Sequence, residues 1–268
     1  MLSACDPSTE NAFDASAAGA RSNEFEDAVV SADPPEAGDE GGDAASEQLD
    51  AGLPPPQVRW YGNLKSVFAG NWDAATSLSE AVPERSAYAL GALSDLRGEF
   101  LVIRGNAMLV YPTESKLPRV VAAHHGHGID ETATLLVAAD VSTWREFPIA
   151  TDVPSNNIEA WLRATAQAQG VDVSKPFPFL LQGRFRNVGW HVADGTRVLP
   201  GMRPDTNAQH GTIAEGDGTI VGFYSTEHQG IFTMMGENTH MHIVLGDHSV
   251  LGHVRALDVV SGGVLSLP

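Results

Sequence analysis

The chain has 268 residues and is strongly acidic, with 34 Asp or Glu against 16 Lys or Arg and a formal net charge of −18 at pH 7. This charge argues against a nucleic-acid partner, because phosphate binding needs clustered Lys and Arg. A single cysteine excludes an intrachain disulfide, and no segment has the ~20 consecutive apolar residues of a transmembrane helix.

The first 56 residues differ in composition from the rest of the chain. They contain thirteen Asp or Glu, one Arg and only two aromatic residues, Phe13 and Phe25. Such a segment buries too little apolar surface to offset the entropy lost on ordering, so we predict that residues 1–56 are a disordered acidic tether. The remaining residues suffice for one large domain or two small ones.

The only cysteine, Cys5, ends the sequence LSAC, which resembles the lipobox at which bacterial lipoproteins are cleaved and then lipidated. With a signal peptide ahead of Met1, this interpretation predicts an extracytoplasmic protein that is tethered to a membrane through a lipid on Cys5. The alternative is a chance cysteine in a soluble cytoplasmic protein.

The globular part is predicted to begin with a short helix and a hairpin. Asp73 is a suitable N-cap for a helix over residues 74–81. Two β-like runs at 99–104 and 107–111 flank Gly105-Asn106, a pattern that is typical of a β-hairpin.

A strand and a longer helix are predicted next, followed by a β-rich region. Residues 133–141 (ATLLVAADV) predict a strand. Residues 156–169 predict an amphipathic helix that ends before Gly170. Its apolar residues at helical spacing are Ile158, Trp161, Leu162 and Ala166. From Phe177 the pattern alternates strand and turn, so the predicted fold class is α+β and β-rich.

Four of the ten histidines lie in the sequence NTHMHIVLGDHSVLGHV, residues 238–254. Side chains alternate along a strand, so His240 and His242 are predicted to share one face. A turn at GDHS would return the chain and bring His253 beside them. Three imidazoles on one face suit a catalytic metal site, whereas the alternative is a set of ordinary polar strand residues. His248, within the turn, is predicted to be solvated.

A second histidine cluster, HHGH, contains His124, His125 and His127. It lies in glycine-containing sequence that is typical of a loop, and no other ligand types are close to it in the chain. The favoured interpretation is an exposed loop, and a second metal site is the weaker alternative.

Several motifs resemble the α-acetolactate decarboxylase family. These are ALGALSDLRGEF (89–100), QGRFRNV (182–188), GTIVGFYS (218–225), THMH (239–242) and GHV (252–254). They occur in the order expected for that family and cover roughly residues 60–258. The spacing of two histidines, HxH, and a third histidine eleven residues later is the most specific part.

The resemblance implies two sheet-based subdomains, at residues 57–174 and 175–268, with a metal site in the cleft between them. It implies that His240, His242 and His253 bind Zn²⁺ and that Glu99 lies near the metal as a catalytic residue. The implied reaction is decarboxylation of 2-acetolactate to acetoin, and the resemblance also suggests a homodimer.

The chain departs from the family pattern at several positions. His191 stands where the family has an arginine that faces the substrate carboxylate, and Ala92 replaces a hydroxyl residue. Family members also continue beyond the third histidine with a tail that returns a second glutamate, whereas LSLP follows closely here. His191 is therefore assigned as a candidate catalytic residue, with a fourth metal ligand, a proton shuttle and a plain strand residue as the open interpretations.

Three other arginines are candidates to replace the family's arginine at the position of His191. Arg184 and Arg186 share the strand face opposite Phe185, so neither is an obvious substitute. Arg203, in the following loop, is the remaining candidate for this role.

The predicted function is a zinc-dependent decarboxylase of 2-acetolactate or a related small 2-hydroxy-3-keto acid. Loss of CO₂ leaves an enediolate, whose charge a zinc ion would stabilise as a Lewis acid. A partly buried Glu99 with a raised pKa would then protonate the carbon. The alternatives are a different three-histidine metalloenzyme, such as a cupin-like enzyme or a hydratase, and a lipoprotein that binds metal or ligand without catalysis.

Overall fold

The computed structural model describes residues 55–83, 85–123, 130–198, 203–206 and 208–268. Nearly all of the predicted tether lies outside this part, as do Cys5 and the histidines His124, His125 and His127. The tether and its lipid anchor therefore stay predictions, and so does the extracytoplasmic location. Within the described residues, no helix is long and apolar enough to cross a membrane.

The described chain is built mainly from antiparallel strands, with three α-helices. The strands are β1 (Arg59–Tyr61), β2 (Thr76–Ser77), β3 (Ala87–Leu93), β4 (Glu99–Ile103), β5 (Asn106–Tyr111), β6 (Arg119–Ala123), β7 (Thr132–Asp140), β8 (Arg145–Pro148), β9 (Phe177–Val192), β10 (Gln209–Tyr224), β11 (Thr239–Leu245), β12 (Leu251–Val259) and β13 (Val264–Leu267). The helices are α1 (Leu64–Phe68), α2 (Leu78–Ala81) and α3 (Ile158–Ala168). Short 3₁₀ turns occupy Ser94–Leu96, Ser155–Asn157 and Gly195–Arg197.

The first sheet has seven strands in the order β1-β7-β3-β4-β5-β6, with the short β2 also paired to β7. Its central strands β3, β4 and β7 are buried almost throughout, which explains their nearly continuous apolar sequences. The predicted hairpin is confirmed as β4 and β5. Its two-residue turn is at Arg104-Gly105, one residue earlier than predicted, and both residues have positive φ, as a type I′ turn requires.

The second sheet has the strand order β10-β11-β12-β9-β13-β8. The two longest strands, β9 and β10, also pair with each other along most of their length. Strands β9, β10, β11 and β12 therefore form a closed ring of paired strands. A ring of this kind fixes the relative positions of its strands, because it leaves none of the four free to slide along an open edge.

The largest hydrophobic cluster contains residues of both sheets. It includes Leu90 and Leu101 of the first sheet together with Phe179 and Leu181 of the second. Helix α3 adds its apolar stripe of Ile158, Leu162 and Ala166 to the same cluster. The β-rich, two-sheet α+β fold is therefore confirmed, and the proposed subdomain boundary at residue 174 stays a prediction.

The predicted helix over residues 74–81 is wrong in its first half. Thr76 and Ser77 instead pair with β7, and α2 begins only at Leu78. The N-cap is Ser77, whose hydroxyl accepts from the backbone N–H of Glu80, and not the predicted Asp73. Strand pairing thus overrides the local helical pattern.

Candidate metal centre and active site

The three histidines of the predicted tripod lie together on neighbouring strands of the second sheet. His240 and His242 are two residues apart on β11, and His253 of β12 is paired directly opposite His242. One ligand nitrogen from each ring lies within 4.8 Å of the other two. His240 and His242 are buried, and His253 is partly exposed. The cluster can therefore hold a metal ion with three imidazole ligands and leave its open side toward a substrate.

A tight turn between β11 and β12 sets this register. The backbone N–H of His248 donates to the carbonyl of Leu245 at 2.9 Å, and the side chain of Asp247 accepts from the backbone N–H of Ser249 at 2.9 Å. His248 has φ 56° and an exposed side chain, so it belongs to the turn and not to the cluster.

A glycine lets β12 approach β9 closely beside the cluster. A Cβ at Gly252 would lie 2.6 Å from the carbonyl oxygen of His191. Only glycine fits at this distance, and the next residue, His253, is then paired directly opposite His191. The rings of His191 and His253 stack with their centroids 4.6 Å apart.

The cluster histidines are in the neutral state that metal binding requires. Burial lowers the pKa of His240, His242 and His253 well below the ordinary value, and repulsion from neighbouring histidines acts in the same direction. The lone pairs of these rings are therefore available to a metal.

Hydrogen bonding orients the cluster as well. Nδ1 of His242 donates to the carbonyl oxygen of Phe100 at 2.9 Å, which leaves Nε2 as the ligand atom. Nδ1 of His240 is buried and makes no hydrogen bond of ordinary geometry with the described residues, although the backbone of Phe232 lies close to the ring. Both observations fit a metal ion.

Glu99 reaches the cluster from the first sheet. Its Oε2 accepts from the backbone N–H of His253 at 2.9 Å, and its Oε1 accepts from that of Ala193 at 3.2 Å. Oε2 also lies 3.9 Å from Nε2 of His242. Burial raises the pKa of Glu99 to about 8, although the two backbone hydrogen bonds favour the ionised form. This carboxyl group is therefore a suitable proton donor.

A second glycine places Glu99 at the start of β4. Gly98 has φ 154°, and a Cβ at this position would lie 2.2 Å from the carbonyl oxygen of Val110. The Gly-Glu pair noted in the sequence thus has a structural reason, because a side chain at residue 98 would separate β4 from β5 and displace the carboxyl group.

His191 lies beside Glu99 and outside the three-histidine cluster. Its Nε2 is 3.5 Å from Oε1 of Glu99, and its buried Nδ1 has no hydrogen-bond partner among the described residues. Burial, together with the positive charge of Arg255, lowers the pKa of His191 to about 3. His191 is therefore neutral and cannot act as a cationic anchor for an anion.

The cluster, Glu99 and His191 line one cavity between the two sheets, with a volume of about 150 Å³. Ala92 and Leu135 of the first sheet form part of its wall, and helix α1 also contributes, as do Pro204, Asp205 and Ala208. A cavity of this size, with apolar walls and a few convergent polar groups, suits a small organic substrate.

The sequence model of the family described as alpha-acetolactate decarboxylase matches residues 60–266. The chain belongs to this family. The fold agrees with that of solved acetolactate decarboxylases. A decarboxylase-like enzyme acting on a small molecule is therefore the function class, as the sequence predicted.

Three solved structures show the shared fold at low identity. A Staphylococcus aureus protein of unknown function, described as similar to alpha-acetolactate decarboxylase, is 16% identical, with 79% of this chain and 84% of that chain covered and a TM-score of 0.62. Alpha-acetolactate decarboxylase from Bacillus subtilis strain 168 is also 16% identical, with coverage of 79% and 85% and a TM-score of 0.62. The enzyme from Bacillus subtilis subspecies spizizenii is 15% identical, with coverage of 78% and 84% and a TM-score of 0.62. No curated protein sequence matches the chain significantly.

Arg184, Arg186 and Arg203 do not line the cavity. Arg184 and Arg186 lie in an exposed ion-pair network that includes Glu215. Arg203 pairs with Asp205, which does reach the cavity wall. At these positions none of the three arginines has direct access to a substrate in the cavity.

Sequence reasoning missed two residues that matter for the site. Arg255 lines the cavity, but it lies at a β-bulge, which interrupts the alternation of side chains by which sequence reasoning assigns faces. Glu159 of α3 accepts four hydrogen bonds from the backbone and side chains of Asn238 and Thr239, immediately before His240. Nothing in the local sequence indicates this contact, since the partners are about eighty positions apart.

Proposed function

We propose that the protein is a zinc-dependent decarboxylase that converts 2-acetolactate, or a closely related 2-hydroxy-3-keto acid, to acetoin or the corresponding product. The observation that carries the proposal is one cavity lined by three histidines whose ligand nitrogens converge and by a single buried carboxyl group, that of Glu99. Family membership supplies the reaction class.

Zinc is the proposed metal because three imidazoles with an open position are typical of catalytic zinc sites. His240, His242 and His253 would hold the ion. When bound, zinc supplies Lewis acidity that lowers the energy of negative charge on the substrate oxygens.

Decarboxylation requires one bond cleavage and one proton transfer. The bond between the carboxylate carbon and C2 breaks, CO₂ leaves, and the electron pair of that bond moves toward the C3 carbonyl to give an enediolate. A proton then adds to C2, and the carbonyl at C3 is restored, which gives acetoin. The protein must therefore supply a proton within the cavity and exclude competing reactions with bulk water.

Glu99 is the proposed proton donor. Each of its oxygens accepts one backbone hydrogen bond, and because that to Oε2 is the shorter we assign the proton to Oε1. The raised pKa of the carboxyl group supports this role. His191 is the proposed shuttle that returns a proton to Glu99, because its Nε2 lies 3.5 Å from Oε1. As a neutral imidazole it would donate the proton on Nε2 and take up a replacement from solvent at Nδ1, which has no hydrogen-bond partner among the described residues.

The test uses the full chain, stripped of metal and reloaded with zinc, and measures CO₂ and acetoin from racemic 2-acetolactate. We expect equal amounts of both products, and we expect His240→Asn to abolish zinc binding and turnover. His248→Asn is the matched control, because His248 is exposed in the turn and asparagine tolerates its positive φ. One bound zinc per chain without acetoin formation would exclude 2-acetolactate as the substrate.

A further inference from the structure

A β-bulge places Arg255 at the mouth of the metal cavity. On β12, Val254 pairs with Trp190 and Ala256 pairs with Gly189, so Arg255 is an extra residue with no partner on β9. Bulges of this kind change the direction of a side chain and are frequent beside active sites. Arg255 and Ala256 are consecutive exposed residues in an otherwise buried or half-buried strand, which is consistent with such a redirection.

Arg255 is the only Lys or Arg among the described residues that line the cavity. The acidic groups of the wall are the carboxyl groups of Glu99, Asp205 and Glu237, of which Glu99 is the proposed proton donor. The whole chain carries a net charge of −18. An anionic substrate therefore approaches a protein that repels it, and Arg255 is the local positive charge that can reverse this repulsion.

The guanidinium group of Arg255 is available for such a ligand. It makes no hydrogen bond or ion pair with another described residue. Its positive charge only partly offsets the rise in the pKa of Glu237 that burial and the nearby Glu159 cause. It also lies beside His191 and His253, since all three residues line the same cavity and His253, two residues earlier on β12, is paired opposite His191. An arginine in this position can offer two parallel N–H groups to a carboxylate beside the three-histidine cluster.

We infer that Arg255 binds the carboxylate of the substrate and so selects acids over neutral hydroxy-ketones. This inference rests on the proposed function, because it assumes that a carboxylic acid occupies the cavity. The ion pair is strongest before CO₂ leaves, since the leaving group loses its negative charge in the reaction. Arg255 therefore contributes to substrate binding more than to the chemical step.

The kinetic test compares the zinc-loaded full chain with the variants Arg255→Gln and Arg255→Lys. A charge-assisted hydrogen bond to a carboxylate corresponds to a change of about 10- to 100-fold in binding, so we expect KM to rise by this factor in Arg255→Gln. The lysine variant should give an intermediate KM, because it keeps the charge and loses the paired geometry. We expect kcat to stay within about 3-fold of the wild-type value and not to fall, since the lost interaction stabilises the bound substrate at least as much as the transition state.

Arg163→Gln is the matched control, because Arg163 is an exposed cation on helix α3 and does not line the cavity. It should leave KM unchanged. If Arg255→Gln also leaves KM unchanged while the wild-type protein turns over 2-acetolactate, the inference is wrong and the proposed function stands.

A binding measurement separates the inference from the proposed function. Calorimetry would compare 2,3-dihydroxy-2-methylbutanoate, an acid that cannot decarboxylate because it lacks the keto group, with neutral acetoin. We expect Arg255→Gln to weaken binding of the acid at least about 10-fold and to leave acetoin binding unchanged. This result would support the inference even if the wild-type protein did not turn over 2-acetolactate. Equal binding of the acid by both proteins, or binding by neither, would overturn it.

Discussion

The two sheets contribute to the cavity in different ways. The second sheet supplies all four histidines, and the pairing of β9, β11 and β12 sets the positions of His191, His242 and His253. The first sheet supplies one ionisable group to the cavity, Glu99, whose position depends on hydrogen bonds to the backbone of the second sheet. In the proposed mechanism, one sheet would bind the metal, whereas proton delivery would depend on the junction between the two sheets.

The largest effect is expected for His242→Ala. This change removes one of three metal ligands, so zinc affinity and turnover should fall by more than the roughly 10- to 100-fold that outer-shell changes cost. Zinc affinity is measured by competition with a chelator. His210→Ala is the control, because His210 pairs with His191 across β9 and β10 but lies outside the cluster. Unchanged zinc binding in His242→Ala would contradict the assignment of the cluster.

Glu99→Gln should separate zinc binding, which depends on the second sheet, from proton delivery, which depends on Glu99 of the first sheet. We expect zinc to remain bound while turnover falls by about 10²- to 10⁴-fold, the usual range for loss of a general acid. The new amide NH₂ deprives one backbone N–H, that of Ala193 or His253, of its acceptor, so the free energy of unfolding should fall by about 1–3 kcal/mol.

The control for this variant is Glu131→Gln, because Glu131 lies beside the first sheet and pairs with Arg97 away from the cavity. It should keep zinc binding and turnover. If Glu99→Gln retained full turnover, another group would have to deliver the proton.

Glu159→Ala should lower zinc affinity, although Glu159 does not contact the three histidines. Its carboxylate fixes the start of β11 through Asn238 and Thr239, so we expect zinc affinity to fall by about 10- to 100-fold, as for an outer-shell change. Turnover should return at saturating zinc. Glu146→Ala, an exposed change on β8, is the control. A loss of turnover that zinc does not restore would show that Glu159 acts on more than metal binding.

The smallest effect is expected for Arg184→Gln. Arg184 forms exposed ion pairs with Glu215 and Asp217 on the outside of the second sheet. Solvent-exposed pairs contribute little to stability, so zinc affinity, turnover and the midpoint of thermal unfolding should stay close to those of the wild-type protein. A clear loss of turnover would mean that the outer surface of the sheet is coupled to the cavity.

Strand alternation and turn chemistry were enough to predict that His240, His242 and His253 lie together, because all three belong to one local hairpin. The position of Glu99 came from the family resemblance, since its neighbours His253 and Ala193 are distant in sequence. The hydrogen bonds that Glu159 accepts from Asn238 and Thr239 depend on tertiary packing, and no local sequence pattern predicts them.

Two errors have a common cause in strand pairing. The helix predicted over residues 74–81 begins only at Leu78, because Thr76 and Ser77 pair with β7. Arg255 was missed because it lies at a bulge, whose position the sequence pattern does not reveal. Local patterns predict which face a side chain takes in a regular strand, but they do not predict which backbone partners it meets.

The most direct test of the central claim is a titration of the metal-free full chain with zinc, in which acetoin formation from 2-acetolactate is measured at each level of bound zinc. We predict that turnover rises in proportion to bound zinc and reaches a plateau at one zinc per chain. Turnover that is independent of zinc, or a fully loaded chain that forms no acetoin, would contradict the account.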